Sequence, residues 1–251
     1  MKLYVRGSPK LRKYCPEEYN IKKGCNTLRL GTLYGFRKEE DIKLRDEYEG
    51  HFSYQVRFEP PALVDDDWLE EFEVESSGQA RINLTISAAG PTVQLVDLAG
   101  SCPNCWIFCL SKSSGSAGNV TETHNDFWEF SQDRLIDLAG HIAGLLWESL
   151  TVRDLPEGLD LGIDNLKKNL ALEIEFRDVE YVDRFFEITD PNLSNVEKIR
   201  QVKSGVPFTK PLDFAKEQEV RIAIFLVLNG RRISIPDNTK ILNLRYIDAL
   251  L

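Results

Sequence analysis

The chain has 251 residues, 42% of them hydrophobic, which is enough for a substantial core and excludes disorder as a description of most of it. Its 40 acidic residues outnumber 31 basic ones, and the net charge of −9 repels polyanions at long range, so nucleic acid is disfavoured as a partner. No basic segment leading into an apolar stretch opens the sequence, and the longest apolar runs, such as Ile222 to Leu228, fall far short of the roughly 20 residues that cross a bilayer, so the expectation is a cytoplasmic protein without a membrane partner.

In chain order, Lys2 to Arg6 reads as a short strand closed by a Gly7-Ser8-Pro9 turn, and the basic cluster Lys10 to Lys13, like Arg231-Arg232, reads as a solvated face. Pro16 to Lys23 is expected as a short helix ending at Gly24, with Pro16 in its first turn. Thr27 to Phe36 alternates as a strand, with Gly31 marking a bulge or a close backbone approach. Arg37 to Gly50 is dense in charge and reads as a surface loop or lid. Three extended stretches follow: His51 to Phe58, Phe72 to Glu75, and Ala80 to Ser87, where the Asn83-Leu84-Thr85 sequon is read as part of a strand.

Trp106 to Leu110 reads as a buried strand, followed by a polar loop rich in glycine and serine. Between Gln132 and Leu150 the apolar residues recur at spacings of three and four, which predicts an amphipathic helix with Ser131 as its N-cap and with Gly140 and Gly144 allowing close packing on a sheet. Leu172 to Phe176 and Val179 to Val182 are expected as strands, and Asn192 to Lys203 as a short helix. Val220 to Leu228 is a long apolar strand, Asn229-Gly230 is a type I′ turn pair, and Arg231 to Ile235 returns beside it; a final strand, Ile241 to Ile247, joins the same sheet. With no long linker and no repeat, residues 1–251 read as a single α+β domain: a central, largely antiparallel sheet, split or continuous, flanked by helices.

Five cysteines, Cys15, Cys25, Cys102, Cys105 and Cys109, make an odd set that fits reduced thiols better than a disulfide framework. Cys102-Pro103-Asn104-Cys105 has the spacing of a redox pair, but it runs into a strand-like segment and lacks the helix N-terminus that would stabilise a thiolate. A zinc site would need Cys109 and His124 as further ligands, at a spacing that fits no closed site, so no metal is assigned. His141 reads as structural or exposed on the helix, and His124, beside Asp126 and Trp128, as a pocket candidate. Glu217-Gln218-Glu219 precedes the most apolar strand, and in an extended chain residues two apart point to the same side, which directs both carboxylates toward one cleft.

The order of these features carries a resemblance. Arg6-Gly7-Ser8 ends the first strand, Phe108-Cys109-Leu110-Ser111 ends a middle strand, and Lys210-Pro211-x-x-Phe214-x-x-Glu217-x-Glu219-x-Arg221 begins the late one. With Arg45-Asp46-x-x-Glu49-Gly50 and Val179-Glu180-Tyr181-Val182-Asp183, the series resembles a widespread family of bacterial and phage-encoded proteins of unknown function, and that pattern is distantly similar to the ADP-ribosyltransferase fold. The resemblance implies an NAD cleft in which Arg6 meets the pyrophosphate, Ser111 supports the ribose side, Glu219 stabilises the positive charge developing on the ribose, and Glu217 orients the nucleophile of a macromolecular target. Tyr34 or Trp128 would stack on nicotinamide. The middle strand lacks the family's usual Ser-Thr-Ser run, and Arg45 to Gly50 has no place in the transferase scheme. Three functions therefore stand side by side: an NAD-using ADP-ribosyltransferase-like enzyme, a non-catalytic protein-binding or effector module, and a metal-dependent hydrolase or nuclease using Glu217, Glu219 and acids such as Asp46 or Glu49.

Overall fold

A computed structural model of the chain describes residues 9–38, 45–47, 49–70, 79–112, 124–159, 167–182, 185–188, 197, 200 and 204–244. In chain order these form β1 (Lys10–Cys15), β2 (Thr27–Thr32), β3 (His51–Leu63), α1 (Asp66–Glu70), β4 (Gln79–Ser87), β5 (Gly90–Ser101), β6 (Trp106–Lys112), β7 (Asp126–Ser131), α2 (Leu135–Ser149), β8 (Leu170–Asp178), β9 (Glu180–Tyr181), β10 (Phe185–Ile188), β11 (Thr209–Lys210), β12 (Glu219–Leu228), β13 (Arg231–Ile233) and β14 (Lys240–Asn243). The protein is mainly β. The flanking set of helices expected from the sequence is reduced, among the described residues, to one long helix, because Pro16 to Lys23 folds as two single 3₁₀ turns, Glu17–Tyr19 and Ile21–Lys23, closed by Gly24 at φ 101°. Lys2 to Arg6 and Phe72 to Glu75 lie outside the described residues, as does nearly all of Asn192 to Lys203. No helix of the described residues is long and apolar enough to cross a membrane.

The chain divides into two compact units, the first made of residues 1–49, 103–179 and 213–251, the second of residues 50–102 and 180–212. In the first, an antiparallel sheet curls into a half-barrel with the strand order β13-β12-β6-β1-β7. β8 adds to the other side of β12, and β2 pairs with both β6 and β14, so the last described strand does join the main sheet. β12 is its centre because both of its faces are apolar enough to bury. Val220, Ile222, Ile224 and Leu226 point to the helix-covered core, while Ala223 and Phe225 are equally buried on the reverse face. Each such aliphatic side chain contributes about 1.5–3 kcal/mol on burial.

The hairpin read from Asn229-Gly230 is present: Leu228 pairs with Arg231, and both turn residues take positive φ, 52° and 80°. The predicted amphipathic helix is also present, entered through a 3₁₀ turn at Gln132–Arg134, and it buries Leu135, Leu138, Ala139, Ile142 and Leu146 against the sheet. Two details differ. The Ser131 side chain makes no capping hydrogen bond, and Gly140 and Gly144 face open space, since an added Cβ at either would meet nothing within 4 Å. They mark the helix's solvent side and not a close approach to the sheet.

The second unit is built on a four-stranded sheet of order β10-β3-β5-β4, with β10 parallel to β3 and the other pairs antiparallel. Its small core gathers Val56, Phe58, Val64, Trp68, Val93 and Val96. A separate two-stranded parallel pair joins β9 to β11.

Candidate functional site

In the first unit, β12 pairs with β6 so that Glu219 stands opposite Ser111, and β6 pairs with β1 so that Ser111 stands opposite Arg12. Directly opposed residues share a face of the sheet, so Arg12, Ser111 and Glu219 form one row across three strands on the face turned away from α2. The KLRK cluster is therefore strand β1, and Arg12 occupies the row. Arg12 donates from Nε to Glu129 Oε2 at 3.1 Å and lies over the Phe127 ring at 4.5 Å. Hydrogen bonding to Tyr14 and Glu129 raises its pKa, while Lys10 and Arg12 lower that of Glu129.

Glu219 leads into a buried ion cluster. Its Oε1 accepts from Arg221 Nε at 2.8 Å, and Arg221 Nη1 donates to Glu49 Oε1, also at 2.8 Å. The Glu219, Arg221 and Glu49 side chains are 3%, 0% and 0% exposed. Burial opposes the charge on Arg221, but Glu219 and Glu49 outweigh it and hold its pKa well above the ordinary arginine value. Glu49 is set by a turn: its N–H donates to Asp46 O, Asp46 N donates to Phe36 O, and Arg37 Nε donates to Glu49 O at 2.6 Å. The expectation of a surface loop at Arg37 to Gly50 is thus corrected at Asp46 and Glu49, which are 4% and 0% exposed; the buried Arg221 guanidinium draws the Glu49 carboxylate inward.

The other candidates scatter. Glu217 ends a 3₁₀ helix, Leu212–Glu217, and Gln218 takes φ 44°, so the extended alternation that would turn Glu217 and Glu219 the same way is broken between them. Trp128 pairs with Lys13, one residue along from Arg12, and so lies on the opposite face from the row; it is 3% exposed in the core, with its ring 6.3 Å from Phe108 and 5.8 Å from Phe130. Tyr34 carries the Arg37 guanidinium 3.7 Å above its ring, and its backbone N–H donates to Asn104 Oδ1. Arg6 lies outside the described residues.

None of the five cysteines is in a disulfide, and Cys102 to Cys105 is irregular chain between two strands. Asn104 gives that stretch its role: buried, its Oδ1 accepts from the Tyr34 N–H, its side-chain amide donates to Ile235 O, and its own backbone N–H donates to Ser234 Oγ. Among the described residues no group of three His, Cys, Asp or Glu side chains is placed to hold a metal ion.

The second unit offers a surface of another kind. β4 pairs with β5 and, among the described residues, ends its sheet. Asn83, Leu84, Thr85 and Ile86 are all exposed, Ile86 at 79%, and Leu63 nearby at 57%. From Ile82 to Ser87 this edge carries no charge. The edges of the first unit are guarded instead: β8 bears Glu173, Glu175, Arg177 and Asp178, and β7 bears Asp126 and Glu129.

Sequence reasoning missed Arg12, the β4 edge and the role of Glu49, which it named as a metal-site acid and which is instead a buried partner of Arg221. The signal for Glu49 was Arg221, a charge inside the most apolar strand that required buried acids somewhere in the chain. No protein-family model, curated protein sequence or solved structure matches the chain.

Proposed function

We propose that the chain is a non-catalytic protein-binding module that takes up an extended segment by strand addition at the β4 edge. The observation that carries this reading is the uncharged, exposed run Asn83 to Ile86 on a terminal strand, in a protein whose β7 and β8 edges carry several charges each. Backbone groups on an open edge supply affinity without regard to sequence, and the exposed Leu84 and Ile86 supply apolar contacts. A catalytic role for Glu219 is disfavoured by its environment: a carboxylate enclosed against Arg221 has its charge compensated and little surface left for a sugar.

The test is a photo-crosslinking amino acid placed at Ile86, with a second at Glu173 on the charged β8 edge as control. The expected result is cross-links from position 86 to an extended segment of a protein, lost when Leu84→Pro removes a backbone donor from the open edge: opposite Pro91, Ile86 is a non-hydrogen-bonded position of the β4–β5 ladder, and Leu84, two residues along, turns its N–H to the same open side. Equal cross-linking from both positions would overturn the reading.

A second reading rests on the row Arg12, Ser111, Glu219. In an NAD-using transferase, Arg12 in place of Arg6 would meet the pyrophosphate and Glu219 the ribose. It requires nicotinamide release that is lost in Glu219→Gln while stability is kept.

A further inference from the structure

Resting on the strand-addition reading, we infer that the segment taken up by β4 is the β4 strand of a second copy of this chain, paired antiparallel about Leu84. The sequence Ile82-Asn83-Leu84-Thr85-Ile86 alternates apolar and polar residues symmetrically about its centre. In an antiparallel pair with Leu84 opposite Leu84, Ile82 of each copy faces Ile86 of the other, and Asn83 faces Thr85. Opposed residues share a face, so this register keeps apolar residues with apolar ones and lets the Asn83 amide and the Thr85 hydroxyl hydrogen-bond across the joint.

Charge selects this edge over the others. Two copies each carrying −9 repel at long range, so contact is least opposed where the joining strands are neutral. Pairing β8 with its own copy would bring Glu173 and Glu175 close to their counterparts, and pairing β7 would do the same with Asp126 and Glu129; Ile82 to Ile86 brings no charge to the joint, and Arg81 at its margin faces Ser87 of the other copy. A two-fold pair is also self-limiting at this edge: it uses up the β4 edge of both copies and turns two four-stranded sheets into one of eight strands, with β10 at either end.

The experiment exploits the residue that meets itself. Sedimentation velocity of the full chain across micromolar concentrations is expected to show a monomer–dimer equilibrium. Leu84→Lys and Leu84→Glu, each setting like charges opposite one another, should each weaken dimerisation at least tenfold, and an equimolar mixture of the two should recover a heterodimer. Leu84 is 39% exposed, so both variants should keep the wild-type circular dichroism spectrum and melting temperature to within a few degrees. A wild type that stays monomeric, a dimer indifferent to Leu84→Lys, or a mixture that forms no heterodimer overturns self-pairing. The two layers separate: a monomeric wild type that still cross-links from position 86 to an extended segment of another protein overturns the second-copy inference alone, whereas one that cross-links to nothing overturns strand addition as well.

Discussion

The guanidinium of Arg221 lies 2.8 Å from the carboxylate of Glu49, 172 residues away in sequence, and both side chains are fully buried. With Glu219 on its Nε, Arg221 closes a Glu–Arg–Glu cluster inside the first unit that ties the start of β12 to the turn at Asp46 to Glu49. Buried ions depend on one another: desolvation is offset while the set is complete and falls in full on what remains when one member is removed. Arg221→Met alone is therefore expected to cost about 3–5 kcal/mol or to prevent folding, by leaving two carboxylates enclosed. The triple variant Glu49→Leu, Arg221→Met, Glu219→Leu should regain most of that loss in urea unfolding, because it removes the charges together. A triple variant as unstable as the single one would show that shape, not charge, holds the cluster.

The β12–β13 hairpin makes a separate demand on backbone geometry. Gly230 sits at φ 80°, where a Cβ is strained, although nothing lies within 4 Å of the position it would take. Gly230→Val should thus cost about 1–2 kcal/mol through the backbone alone, read as a lower urea midpoint with an unchanged slope. A cost near zero would mean that the turn can adopt another type.

Cys15 links burial to pH. At 6% exposure in the first unit's core, its thiol is pushed up by burial from 9.0 to about 11. A thiol whose pKa is raised on folding lends stability that is complete below the unfolded value and is lost as pH climbs through the folded one. Thermal stability should therefore decline between pH 9 and 11, and Cys15→Ala should flatten that decline. In native protein at pH 8 a thiol reagent should spare Cys15 until the chain unfolds. Rapid labelling of native Cys15 would contradict its placement.

How far the sequence could be read follows from which signals are local. The hairpin at Asn229-Gly230 and the helix after Ser131 were legible because turn chemistry and a period near 3.6 act over neighbouring residues. β1 was hidden under its own charge: Lys10, Arg12 and Lys13 looked like a solvated cluster, yet Arg12 and Lys13 are each partly covered by ring contacts in the sheet. β7 was hidden by its brevity, six residues running straight into a helix. The pairing of Ser111 with Glu219 could be guessed from motif order, and Arg221 beside Glu219 follows from a spacing of two in an extended strand, but the pairing of Arg221 with Glu49, 172 residues away, depends on a contact across the chain that no local pattern encodes. The same holds for the turn of Glu217 out of register, which came from one left-handed residue, Gln218, that the rule for extended chains does not anticipate.

Glu219→Gln, measured for unfolding free energy and for nicotinamide release from NAD in the same preparations, tests the central claim that Glu219 is a structural partner of Arg221 and not a catalytic group. The substitution keeps the shape and removes the charge, leaving Arg221 with Glu49 as its remaining carboxylate in this pair of contacts. The account predicts a loss of about 3–5 kcal/mol in stability, and a wild type that releases no nicotinamide above a blank. A variant of unchanged stability, set beside a wild type whose nicotinamide release falls about 10²-fold or more on the substitution, would contradict it and establish the row of Arg12, Ser111 and Glu219 as an NAD site.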